Sequence, residues 1–336
     1  MATILLRSPY YETQSNAYDS TNSRVAKSAV LTLTVGGVQV TQMSKDTVLS
    51  GTSSQETGTV AFEIADICRD YIDITFDNSY TSQVITIGGS IQFKSATVDE
   101  INTGATVHNM NSYTIDHKGV DGYYEFMEGL GTGQNSAKVI SSAQNMQDNE
   151  QIYAPDNTGG IIPYWDGSAI VYNSYSTSAT NVTILSKAYK INRVCNKHTS
   201  YKVTFVNKYG ALQDFYFNGR TTESVNINQT TFKRSIANSS MEYSKQKHSI
   251  KQYNTLANEK IILNSPPMSY DSVNESIKQL LVSEQVWIRK TMGGSEQTVP
   301  INITDTQQTF KTGVSDKVIQ YTITAEYAFD YISNIR

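Results

Sequence analysis

Side chains able to move a proton near neutral pH are few in this sequence: His108, His117, His198 and His248 are the only histidines in 336 residues. A general base needs a partner that orients it and a substrate within hydrogen-bond reach, and none of the four stands in a motif that supplies either. Asp116 and His117 are adjacent, so on a strand they point to opposite faces. Cys195 and His198 have a spacing a metal could use, but no second Cys/His pair follows at the interval that completes a four-ligand zinc site. Glu125, Glu128, Asp156 and Asp166 would suit a hydrolase pair or a calcium site, yet they lack the alternating Asp/Asn spacing of a calcium loop. Gly129, Gly131 and Gly133 have the look of a phosphate-cradling loop; without a leading strand or a following Gly-Lys-Ser/Thr they read as a flexible turn. No catalytic residue, cofactor or metal is expected, and the chain reads as non-enzymatic.

Contact chemistry, by contrast, is abundant. There are 22 tyrosines, with clusters at Tyr10-Tyr11, Tyr123-Tyr124 and Tyr172 with Tyr175. Tyrosine offers rigid, amphipathic area at small entropic cost and is enriched at protein interfaces. The residues expected to meet partners are Tyr10 and Tyr11 in an N-terminal arm, Tyr123, Tyr164, Trp165, Tyr172 and Tyr175 in the middle, and Tyr331, Ile335 and Arg336 in a C-terminal tail. Lys233, Arg234, Lys245, Lys247, His248 and Lys251, interleaved with Tyr243 and Tyr253, form the one locally basic segment. It reads as a solvated face, the alternative being contact with a phosphate backbone or with an acidic patch on a neighbouring subunit.

Charged residues are 17% of the chain, against the usual quarter or so, and Ser, Thr, Asn, Gln and Tyr take their place. A formal charge of −4 disfavours a general nucleic-acid binder. Cys68 and Cys195 are too few and too far apart for a disulfide framework and are expected as reduced thiols. Neither a signal-peptide pattern nor a stretch of about 18 apolar residues is found, so no leader and no membrane span are expected.

The elements that must position these residues are mostly strands. Leu31, Leu33 and Val35 alternate with Thr32 and Thr34 ahead of Gly36-Gly37 and Val38-Gln39-Val40, which predicts a hairpin; Val84 to Ile87, Gly88-Gly89 and Ile91 to Phe93 predict a second. Ile64, Ile67, Cys68 and Tyr71 share one face of a short helix within Phe62 to Tyr71, which makes Cys68 a core residue. Tyr201 to Asn207 and Leu212 to Phe217 predict a third hairpin, and Ile319, Tyr321, Ile323, Ala325 and Tyr327 a strand with one apolar face. Ser272 and Glu275 form a capping box for a helix over about 272–282. The expected fold is mainly β: two or three antiparallel β-sandwich modules with one or two short helices. They divide as an N-terminal sandwich over 1–102, a Tyr/Gly/Asn-rich loop-and-strand module over 103–186, and a C-terminal sandwich with the capped helix over 187–336.

Several strings resemble virion structural proteins of tailed bacteriophages, especially phages of marine and Bacteroidetes hosts. They are Leu6-Arg-Ser-Pro-Tyr-Tyr11, Phe62-Glu-Ile-Ala-Asp-Ile-Cys-Arg-Asp-Tyr71, the hairpin from Tyr201 to Phe217, Leu281-Val-Ser-Glu-Gln-Val-Trp287 and Tyr327-Ala-Phe-Asp-Tyr-Ile-Ser-Asn-Ile-Arg336. The resemblance implies a non-enzymatic tail, baseplate or neck subunit, assembled in the host cytoplasm and residing in the virion, whose partners are copies of itself and other virion proteins. It transfers no catalytic signature. Rival expectations are a capsid decoration protein, or a receptor- or carbohydrate-binding module that offers Trp165 and Trp287 to a host glycan.

Overall fold

Alternation does in the first hundred residues what the sequence predicts of it. In strand β3 (Val25–Val35) Ala29, Leu31, Leu33 and Val35 are buried, and the chain reverses at Gly36 and Gly37, both at positive φ, into β4 (Val38–Asp46). In the computed structural model the described residues are 2–17, 25–51, 56–96, 108–129, 139–237, 239–268, 273–292, 294–310 and 319–331. Strands make up 57% of the structure and helices 6%, so the fold is mainly β and sandwich-like.

A six-stranded sheet opens the molecule in the order β4, β3, β7 (Ile85–Ala96), β8 (His108–Val120), β1 (Ala2–Leu5) and β9 (Val139–Ile140). A smaller sheet of β2 (Tyr11–Asn16), β6 (Thr57–Glu63) and β5 (Val48–Ser50) faces it. Val60 and Phe62 of β6 pack with Leu31, Leu33, Ile91 and Phe93 in one shared core. Gly88-Gly89 is not a hairpin turn, contrary to the sequence expectation. Strand β7 runs straight through both glycines, and Gly89 pairs with Leu33 on one side and Ile115 on the other. A Cβ on Gly89, at φ +149°, would lie 2.2 Å from the Thr32 carbonyl oxygen, so the glycines serve close approach of two backbones. The helix α1 (Ala65–Arg69) is shorter than the periodicity suggests, because Phe62 belongs to β6 and Tyr71 is exposed beyond the helix end. Cys68 is fully buried on it, and burial pushes its thiol up to about 12, which leaves it inert.

The module boundaries read from the sequence move. Strand β8 lies past 102, yet it sits between β7 and β1 and runs parallel to β1, so it belongs to the first sheet. The middle module holds two small sheets: β10 (Gln144–Asn145), β12 (Gly160–Trp165) and β13 (Ile170–Tyr175), and β11 (Gln151–Pro155), β15 (Lys187–Val194) and β14 (Asn181–Ile184). The expected boundary at 186 falls inside the β14–β15 turn, where Leu185 and Ser186 hold positive φ without a glycine to announce it.

The last unit is a seven-stranded antiparallel sheet in the order β17 (Leu212–Phe217), β16 (Tyr201–Val206), β20 (Val286–Met292), β21 (Ser295–Ile303), β22 (Thr322–Tyr327), β19 (Ile250–Asn264) and β18 (Thr222–Lys233). The helix α2 (Val273–Val282) presses Val273, Ile277 and Leu280 onto Val203, Phe205, Ile261 and Leu263. Ser272, the expected cap, lies outside the described residues, as do Gly131 and Gly133. Against other side chains of the same sheet, the segment 72–80 packs Ile74 and Phe76 on Val206, Leu212 and Trp287.

Gly89→Ala should cost at least about 2 kcal/mol, since the added methyl meets backbone that cannot yield; denaturant unfolding reads the loss, and an unchanged midpoint would refute the close-approach account.

Candidate functional site

The tyrosines singled out by the sequence divide sharply by exposure. Trp165 is 1% exposed, Tyr175 6% and Tyr10 8%, so these three fill the interior instead of offering a surface. Trp165 packs with Leu5, Val120 and Met146 where the first two modules meet, and Tyr175 with Tyr189 and Tyr216. Trp287, the other expected platform, is buried against Phe76. Half-buried Tyr172 accepts the Leu212 N–H at 3.2 Å and packs at a tilt against the Tyr80 ring, while Arg7 lies over the Tyr123 ring at 5.0 Å. Tyr164 packs beside the middle core. A large ring with one polar tip suits such seams, because it fills space and can still satisfy its hydroxyl. Of the nominated residues only Tyr11 and Tyr331 are exposed, and Ile335 and Arg336 lie outside the described residues.

The seams converge on the turn Asn207 to Ala211 of the β16–β17 hairpin. Asn207 Oδ1 accepts the N–H groups of Tyr209 and Ala211 at 3.0 and 3.1 Å, and its Nδ2 donates to the Met146 carbonyl at 2.6 Å. Lys208 Nζ, on a buried side chain, lies 2.8 Å from Glu128 Oε1 and 2.9 Å from Asp148 Oδ2. Asp148 also accepts from Tyr209 Oη at 2.7 Å and from Gln279 Nε2 of α2 at 2.9 Å. Ser276 Oγ of the same helix accepts from Gln213 and Asn149. Burial works against the Lys208 charge, but its hydrogen bonds to Glu128 and Asp148 outweigh that and hold the ammonium above the ordinary lysine range. Glu125 and Glu128, weighed above as an acid/base pair, thus serve as counter-ions to a structural lysine.

His117 Nε2 pairs with Glu12 Oε2 at 2.9 Å, joining β8 to β2 across the first core. Burial raises the Glu12 carboxyl, but hydrogen bonds from His117 and Gln14 more than reverse this, so it titrates below its ordinary value.

A cleft of about 630 Å³ opens between the middle module and the last sheet, lined in part by Tyr80, Ser200, Lys202, Asp214, Arg289 and Glu296. On its floor Tyr80 Oη donates to Asp214 at 2.6 Å, Thr204 Oγ1 donates to Asp214 at 2.6 Å, and Lys202 Nζ donates to Tyr80 Oη at 2.6 Å. These groups are turned toward one another, while Ser200 Oγ on the cleft wall makes no hydrogen bond. Among the described residues no three His, Cys, Asp or Glu side chains are gathered as a metal would need.

A long exposed ribbon extends from the last sheet. Beyond Lys260, where β22 stops pairing with β19, strands β18 and β19 continue together from Val225–Glu259 to Lys233–Ile250, about 27 Å at strand rise, with no other described strand beside them. Every residue of β18 is exposed, and no described strand pairs with its outer edge. Phe232, Tyr253 and Leu256 lie on one side, with Phe232 and Tyr253 edge to face at 5.4 Å; Val225, Ile227 and Ile250 lie on the other. Tyr331 N–H donates to the Ala257 carbonyl at the ribbon's base. The basic segment of the sequence is its tip. Both sides of these strands are exposed, so no alternation in the sequence marks them. No protein-family model matches this chain, and neither a curated protein nor a solved structure does.

Lys208→Met should cost about 2–4 kcal/mol by leaving Asp148 and Glu128 uncompensated, measured by denaturant unfolding; a loss below about 0.5 kcal/mol would class the cluster with ordinary surface pairs. Because the Glu12 carboxyl is depressed in the folded state, its stabilisation is complete above about pH 4.5 and is lost as pH falls through the folded value. The stability gap between the wild type and Glu12→Gln should therefore close as pH drops below about 4.5, and a pH-independent gap would contradict the assignment.

Proposed function

We propose that the chain is a non-enzymatic structural subunit of a tailed-phage virion, in the tail, baseplate or neck, held in place through its β-modules. The observation that carries this reading is the β18–β19 ribbon, with twelve consecutive exposed strand residues and an outer edge that no described strand pairs with. Such an edge templates pairing with another strand, and proteins that work alone blunt or cover it. Apolar side chains on both of its sides add a non-directional attraction for a neighbouring surface. The likeness of the strings at 6–11, 62–71, 201–217, 281–287 and 327–336 to phage virion proteins supplies the kind of particle. The reading as a glycan-binding module is weakened by the burial of Trp165 and Trp287, since a sugar stacks only on a ring it can reach.

Mass spectrometry of purified particles should find the chain in multiple copies, and a reconstruction should show its ribbon covered by neighbouring protein. Absence from the particle, or turnover of a cell-wall or polysaccharide substrate by the purified chain, would overturn the proposal.

A further inference from the structure

We infer that the ribbon's partner is a second copy of this chain, and that the two join head to tail: the basic ribbon tip of one copy seats on the acidic loop 66–77 of the next. The inference rests on the structural-subunit reading and names the partner that reading leaves open.

Three observations carry it. The first is charge. Residues 225–259 hold Lys233, Arg234, Lys245, Lys247 and Lys251 against Glu242 and Glu259, a net +3, which leaves −7 on the remainder of a chain whose total is −4. A ribbon of that sign, attached to a body of the opposite sign, is complementary to copies of its own body. The second is stability. Two strands alone are marginal in water, and this pair shows large apolar side chains on both sides, Ile227 at 63% and Ile250 at 60% exposure on one and Tyr253 at 50% on the other. A surface that covers the ribbon and answers its charge removes both costs.

The third is position. Asp66, Asp70 and Asp73 are exposed on either side of Tyr71 in the sequence, Tyr71 itself being 51% exposed, and the cation among them, Arg69, is taken up by Glu284, which leaves a net acidic segment with an exposed aromatic ring. The segment that follows, through Ile74, Phe76 and Tyr80, is anchored on β16, β17 and β20. The ribbon leaves the same sheet at β18, its other edge. Four to six strand spacings, about 19 to 29 Å, separate the two. Asp66 and Asp70 stand at α1, whose Ala65 and Cys68 pack into the first core, so the acceptor lies on the first unit and the ribbon on the last sheet of the same molecule. A contact between different faces repeats head to tail into a closed ring or an open filament, or closes a two-fold pair where two copies exchange ribbons reciprocally.

Sedimentation velocity on the full chain and two variants tests this. In one variant Asn-Gly replaces residues 228–256, joining the paired Ile227 and Ala257; no residue removed belongs to a core, so the body keeps its fold, which far-UV circular dichroism confirms. The other carries Asp66→Asn, Asp70→Asn and Asp73→Asn. The wild type should self-associate, weakening roughly tenfold or more between about 50 and about 500 mM salt. Each variant alone should be monomeric, and a mixture of the two should stop at a one-to-one heterodimer, because only one usable ribbon and one usable loop remain. A wild type that is monomeric at low salt, a ribbon-less variant that assembles like the wild type, or a mixture that yields no heterodimer would each overturn the inference. A monomeric wild type still found in many copies within particles would overturn it while leaving the structural-subunit reading intact.

Discussion

One buried ammonium ties the three modules together. Lys208 lies in the turn of the best-formed hairpin, and the carboxylates that neutralise it come from elsewhere: Glu128 from the end of the N-terminal unit and Asp148 from the start of the middle one. The same turn is pressed on from below. A Cβ on Gly122 would lie 2.6 Å from the Lys208 carbonyl oxygen, and one on Gly210, at φ +76°, 2.9 Å from Asp121 N. Helix α2 completes the enclosure through Gln279 and Ser276. A charge so placed is tolerable only while all its partners hold position, so the relative placement of the modules is fixed by satisfying one group.

A second tie works at the surface. Glu284 pairs with Arg7 at 3.4 Å and with Arg69, which also lies 3.7 Å from Asp121. Glu284 is exposed, which limits what its pairs contribute, whereas the Arg7 and Asp121 side chains are largely buried. The effect of the pairs is to keep the N-terminal residues seated on the last module beside the cation–π contact of Arg7 with Tyr123.

Much of this was legible in the sequence wherever one rule decided the outcome. Alternation located β3, β16, β17 and β22, and helical spacing located Cys68. Reading failed where a residue type serves two purposes. Gly88-Gly89 suits a turn and close backbone approach equally well, and only the strands on either side choose between them. Leu185-Ser186 makes a tight turn with residues that seldom do so, which hid the β14–β15 hairpin and misplaced a module boundary. Tyrosine suits both interfaces and seams, and here most of the nominated rings went to internal seams. The basic segment was visible as charge, but its projection was not, because exposure on both sides of a strand leaves no periodic trace.

The parallel pairing of β1 with β8 bears on how the chain is made. Ala2–Leu5 finds its neighbour only when His117–Val120 has been synthesised, and Val139–Ile140 must follow to complete its other edge. The first sheet therefore cannot close while the nascent chain is shorter than about 140 residues, and Trp165 and Met146 wait longer still for Ala211. Contacts of such sequence separation are slow to form and leave apolar strands uncovered on the ribosome. Translation speed and chaperone supply thus become part of what determines how much of this protein reaches its native form.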